Sequence, residues 1–159
     1  MPKLYIETTI PSFYYNQRPE PEMVARSNWT RQWWDNQIGE FEAATSYLVI
    51  EELEKGNHPQ KAGKLALVKP LPLFAVTPDV IEIAGVYIER FVMPKSDPSD
   101  ALHLALASFN RCDILLTWNC NHLANYRKFD HIRRVNNLLG LHTPSLLTPL
   151  ELLGESETS

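Results

Sequence analysis

The chain has 159 residues, enough for one domain with its own core. Apolar residues make up 44% and charged residues 21%, the balance of a soluble globular protein. A formal net charge of −4 excludes broad, charge-driven coating of nucleic acid but leaves room for a local basic rim.

Met1-Pro2-Lys3 leads straight into a short strand, so no signal peptide is expected. No apolar run reaches the roughly 18 residues of a membrane span. A cytoplasmic protein is expected. Cys112 and Cys120 are too few for a disulfide framework and are not spaced as a zinc site, so a reduced pair is expected.

Residues 3–7 (KLYIE) predict a short buried strand with Glu7 at its C-terminal tip. Thr8-Thr9-Ile10-Pro11-Ser12 breaks it, and Phe13-Tyr14-Tyr15 follows as an aromatic turn. Taken alone, Glu7 could as well merely end the strand or cap the next helix as belong to a site. Residues 21–38 predict a helix with Val24, Trp29, Trp33 and Trp34 as its apolar members. Core packing is the first reading of the indoles, a dimer or partner surface the second.

Residues 41–45 predict a second strand. Ser46 then caps a helix over 47–55, which Gly56 ends. Leu48, Val49 and Leu53 face inward on it. Glu52 neighbours Leu48 and Val49 along the helix and projects from the buried edge, while Glu51 is explained by the helix dipole. An amphipathic helix over 58–69, a third strand over 73–77 and a helix from Pro78 to Phe91 follow. The last has Val80, Ile81, Ile83, Ala84, Val86, Tyr87 and Ile88 as its core side.

Asp97-Pro98-Ser99 starts a helix that reaches Ser108 and is apolar nearly all round, so it is buried. Yet it carries Asp100 and His103 on one face. A buried carboxylate is costly unless a cation or hydrogen-bond donor meets it. Residues 113–117 predict a fourth strand, ending at Trp118-Asn119-Cys120-Asn121-His122. A helix over 127–139, basic on one side, ends at Gly140. A fifth strand over 145–148, a helical turn over 149–153 and a fraying polar tail at 154–159 complete the chain.

Short strands alternating with helices predict an α/β fold with a mostly parallel sheet. No glycine follows the first strand, which excludes dinucleotide and P-loop phosphate binding. No Gly-x-Ser-x-Gly elbow is present either. In open parallel sheets the site lies beyond the C-terminal strand ends, where strand order reverses. If strands one and four are neighbours there, Glu7, Asp100 and Asn119 converge, and Glu52 joins from the helix after strand two. Three carboxylates in one cleft raise each other's pKa unless a cation sits among them. Oxygen ligands of this kind suit Mg²⁺ or Mn²⁺.

Four motifs, in order, are Tyr5-Ile6-Glu7-Thr8-Thr9, the run from Ser46 to Leu53, the run from Asp100 to Ala107, and Leu115-Leu116-Thr117-Trp118-Asn119. Together they resemble a PIN domain, the fold of the VapC-type toxin ribonucleases, over nearly the whole chain. The resemblance implies a single three-layer domain over 1–153, with a five-stranded sheet of order 3-2-1-4-5 flanked by helices. It implies an Mg²⁺- or Mn²⁺-dependent endoribonuclease acting on single-stranded RNA, with a cognate antitoxin and a homodimer as partners.

Carried over by position, the four acids of the family fall on Glu7, Glu52, Asp100 and Asn119, as metal ligands and catalytic residues. Thr117 takes the place of the small hydroxyl residue beside them. Glu7 stands where Asp is typical and reaches one methylene further. Asn119 stands where Asp is common and brings no charge. The remaining three carboxylates suffice for one divalent ion. Asp97 or Asn121 could add an oxygen. Lys95, Arg127 and Lys128 are candidates for flanking phosphates, with solvated surface charge as the alternative. His103 reads as a satisfied helix histidine, and His122 as a candidate substrate contact. The neutral Asn119 and the modest basic content keep a second reading open: a catalytically weakened PIN-like module that binds nucleic acid or protein.

Overall fold

The computed structural model describes the backbone of residues 1–158 and the side chains of residues 1–154. Five strands make one sheet: β1 (Lys3–Ile6), β2 (Glu42–Ser46), β3 (Leu73–Phe74), β4 (Ile114–Leu116) and β5 (Ser145–Leu147). Their order is β3-β2-β1-β4-β5 and every pairing is parallel. β1 is central, with Tyr5 opposite Ala44 on one side and Leu115 on the other. This is the expected strand order, and it places the switch point between β1 and β4.

Alternation along β1 builds two cores from one strand. Tyr5 points to a layer formed by α3 (Tyr47–Glu54), α4 (Lys61–Val68), α5 (Pro78–Glu89), α6 (Pro98–Phe109) and α7 (Phe129–Leu139). Leu4 and Ile6 point to the opposite layer, formed by α1 (Thr9–Tyr14), α2 (Pro21–Gln37) and α8 (Pro149–Thr158). β4 repeats the division, with Leu115 in the first core and Leu116 in the second. Burial on both faces explains why these strands read as apolar runs rather than alternating ones.

The helix starts follow capping chemistry. Ser46 Oγ accepts from Val49 N at 3.3 Å, and Thr77 Oγ1 accepts from Val80 N at 3.3 Å. Pro78 and Pro98 open α5 and α6, where the missing N–H costs nothing. α7 stops at Gly140, whose φ of 70° lies in the left-handed region.

Several local expectations need correction. The aromatic turn at 13–15 is instead the end of α1, which begins at Thr9. α4 begins at Lys61 rather than His58, because Gln60 turns the chain with a φ of 62°. β3 holds only two residues, since its pairing with β2 ends at Phe74. Ile81 is exposed on α5. On α2, Val24 is exposed while Ser27, Thr30 and Trp33 are buried.

The physical reason on α2 is that polar side chains there find partners inside. Thr30 Oγ1 accepts from the Trp118 indole N–H at 2.7 Å and donates to Arg26 O at 2.6 Å. Trp29 stacks on Trp118, with ring centres 6.1 Å apart. Trp33 is fully buried in the second core, so the core reading holds for it. Its indole N–H has no hydrogen-bond partner among the described residues. That costs about 1–3 kcal/mol, against about 5 kcal/mol from burying roughly 200 Å² of ring. α8 extends beyond the turn expected at 149–153. The tail expected at 154–159 lies almost wholly outside the described side chains, and Ser159 outside the described residues.

Candidate active site

The site lies where β1 and β4 end side by side. Glu7 leaves β1 with its N–H still bonded to Leu116 O at 3.2 Å. Its Oε1 accepts from Thr9 N at 3.0 Å, from Thr9 Oγ1 and from Thr117 Oγ1 at 2.8 Å. Its Oε2 has no hydrogen-bond partner among the described residues. Burial pushes the Glu7 pKa up, against the charge of His103 and the hydrogen bonds from Thr9 and Thr117.

From Thr117 a hydrogen-bonded chain leads to α6. Thr117 Oγ1 accepts from Asn119 N at 2.9 Å. Asn119 Nδ2 donates to Asp100 Oδ1 at 2.9 Å, and Asn119 Oδ1 accepts from His122 N at 3.1 Å. His122 Nδ1 then meets Asp100 Oδ2 at 2.7 Å. Burial and the Asp97 charge push the Asp100 pKa up, against the bonds from His122 and Asn119. Hydrogen bonds thus link Glu7, Thr117, Asn119 and Asp100 in one chain. His122 joins them by holding Asp100.

Glu52 belongs to a second network. Its Oε1 is 2.8 Å from His103 Nε2 and also accepts from Thr8 Oγ1; its Oε2 accepts from Ser99 Oγ. Behind it, His103 Nδ1 is 2.8 Å from Tyr5 OH, which is 2.7 Å from Ser46 Oγ. Burial works to raise the Glu52 pKa, but the bond and charge of His103, with Ser99 and Thr8, bring it down to about 2. Burial works to lower the His103 pKa, and Glu52 and Glu7 outweigh it, so the ring's pKa is raised. His103 is thus the satisfied helix histidine expected from the sequence. Thr8, Thr9, Ser99 and Tyr5 were not singled out there. The usable signal was hydroxyl residues directly after a strand-ending acid and directly before a helical one.

Among the described residues, one ligand atom each from Asp97, Asp100 and His122 lie within 4.8 Å of one another. The donor set fits a divalent cation: two carboxylates and an imidazole, with Glu7, one of whose oxygens has no partner among the described residues, outside that group. Glu52 fits less directly, because both of its oxygens are already engaged by His103, Thr8 and Ser99. Of the basic candidates, Lys95 and Arg127 are exposed. The Arg127 guanidinium lies 5.8 Å over the Tyr126 ring. Lys128 is half-buried, its Nζ donating to Val92 O at 3.1 Å.

No protein-family model matches the chain, and no curated protein sequence matches it. Solved structures do. One is a chain of VapBC2 from Rickettsia felis bound to a DNA fragment from its promoter, with 17% identity and a TM-score of 0.53 over 91% of this chain and 97% of that one. Another is from FitAcB of Neisseria gonorrhoeae, with 15% identity and a TM-score of 0.55 over 92% and 98%. A third is from FitAB bound to an IR36 DNA fragment, with 14% identity and a TM-score of 0.52 over 92% and 94%. The shared architecture is the PIN-like fold. No helix among the described residues is long and apolar enough to cross a membrane.

Proposed function

We propose that this protein is a metal-dependent endoribonuclease that cleaves single-stranded RNA, a VapC-like toxin restrained by a cognate antitoxin. The observation that carries this reading is the hydrogen-bonded chain Glu7–Thr117–Asn119–Asp100 at the switch point between β1 and β4. It is where an open parallel sheet places its chemistry. The two-component names of the structural neighbours support an antitoxin as partner, and a second copy of the chain completes the assembly in this reading.

Glu7 and Asp100 would hold Mg²⁺ or Mn²⁺, with Asp97 and His122 beside them and Glu52 acting through water. When bound, the ion supplies acidification of a water and neutralises charge on the attacked phosphate. The chain's own residues set the geometry. Thr117 and Thr9 fix one oxygen of Glu7 and leave the other free to bind. Asn119 and His122 hold the two oxygens of Asp100. Contact with His103 keeps the half-buried Glu52 carboxylate ionised beside the cleft.

The second reading, a weakened module that binds without cutting, is favoured by one observation. The Asn119 amide donates to Asp100 where a fourth carboxylate would add charge. Labelled single-stranded RNA separates the two readings. Purified protein should cut it with Mn²⁺ or Mg²⁺ and not with EDTA, and Asp100→Asn should fold normally yet cut more than roughly a hundredfold more slowly. An Asp100→Asn protein as active as wild type would remove the metal-site assignment. Folded, antitoxin-free protein that cuts under no metal would leave the binding module.

A further inference from the structure

Phe91 stands just past α5 and is 88% exposed. Its φ of 61° is one that a phenylalanine rarely adopts. The surrounding chain enforces it. Phe91 N donates to Ile88 O at 3.1 Å, and Val92 N and Met93 N both reach Tyr87 O, at 2.8 and 3.2 Å. Val92 and Met93 turn inward and are buried. The fold gains nothing from the ring that this turn holds out in water. Strain of this kind collects at ligand clamps.

The ring lines a groove of about 590 Å³, within the range of small-ligand sites. Lys95, Lys128 and His122 line the same groove, with Glu89 as its one carboxylate. His122 is the residue that grips Asp100, so the groove shares a wall residue with the acidic centre. Lys128 is held in place by its bond to Val92 O. Arg127, the third basic candidate, is not part of the lining. An exposed aromatic ring beside two ammonium groups suits a base with its phosphate. It also supplies local positive charge that a chain of net charge −4 lacks overall.

We infer that this groove seats a nucleotide flanking the scissile phosphodiester of single-stranded RNA, with Phe91 stacking its base and Lys95 and Lys128 contacting its phosphate. The inference rests on the nuclease reading above and adds to it where the strand runs. It makes Phe91 a positioning residue for substrate.

Fluorescence anisotropy of a short labelled single-stranded RNA, in EDTA so that nothing is cut, tests it on the whole protein. Phe91→Ala should weaken binding roughly tenfold and Phe91→Trp should restore it, since stacking needs only an aromatic face. Phe91→Gly relieves the backbone, so it should melt higher than wild type yet bind as weakly as Phe91→Ala. Replacing Lys95 and Lys128 together by Ala should flatten the salt dependence by roughly 0.7 per lost contact. If Phe91→Ala binds RNA as wild type does, the groove is not an RNA subsite, and a protein-facing role takes its place. If RNA binds through Phe91 but is never cut with either metal, the groove stands and the nuclease reading falls. Wild-type protein that binds no RNA overturns both.

Discussion

The Glu52 carboxylate and the His103 imidazole meet at 2.8 Å, with only 1% of the histidine side chain exposed. The pair ties α3 to α6 from opposite sides of the cleft and passes through Tyr5 to the central strand. A buried pair of this kind is worth little against an apolar substitute, but removing one partner strands the other.

His103→Ala should therefore destabilise the protein by about 3 kcal/mol, from an unpaired Glu52 and an unpaired Tyr5 hydroxyl. Urea unfolding measures it. A loss below about 1 kcal/mol would mean that the pair is solvated rather than buried.

Asn119→Asp tests the missing fourth acid. The substitution removes the donor to Asp100 Oδ1 and sets two carboxylates face to face. In EDTA it should cost about 1–3 kcal/mol. Excess Mn²⁺ should raise the melting temperature of the variant more than that of wild type, because a cation binding only the folded state stabilises it by mass action. Melting curves with and without Mn²⁺ give the answer, and a metal that shifts neither protein would speak against a site at Asp100.

Tyr87 gives a prediction away from the site. Its hydroxyl donates to Asn136 Oδ1 at 2.6 Å, and Asn136 Nδ2 donates to Ser108 Oγ at 3.1 Å, so α5, α6 and α7 share one buried network. Burial pushes the Tyr87 pKa up to about 12 from 10.0. A phenol raised on folding contributes stability that is complete below pH 10 and fades as pH climbs through 12. The loss is on the order of 2–3 kcal/mol. Tyr87→Phe should be about 1–2 kcal/mol less stable at neutral pH, with Asn136 left short of a donor. It should also show a shallower decline in stability between those two values. Denaturant titrations across alkaline pH decide it: equal slopes for both proteins would place the hydroxyl in contact with water.

The sheet order was legible because short apolar strands alternate with helices, and the link from Glu7 to Asn119 because both follow strands that the apolar runs mark. α1 was not, because Pro11 and two threonines look like a break. Yet Pro11 falls in the first turn of that helix, where an N–H has no helical partner to lose. The buried face of α2 was hidden for a different reason: Ser27 and Thr30 are polar, and only the position of Trp118 reveals that Thr30 has an interior partner. His122 lies just beyond the last motif, and its grip on Asp100 depends on how residues 119–122 turn, which no periodicity encodes. That Glu52 rather than Glu51 turns to an interior partner depends on His103, a residue 51 positions further along the chain.

The centrality of β1 has a consequence for how the molecule is made. It is the first of the five strands to leave the ribosome, yet both of its neighbours come later, and Glu7 waits 110 residues for Thr117. Such distant pairings cost loop entropy before they return any stability, so closure of the sheet is a late and slow event. Until then β1 is an apolar strand with an open edge, a target for chaperones or for aggregation. The acidic centre comes into being only once β4 and the turn after it have been translated. A nascent chain halted before Asn119 carries Glu7, Glu52 and Asp100 but neither of the residues that hold Asp100, however well the rest has folded.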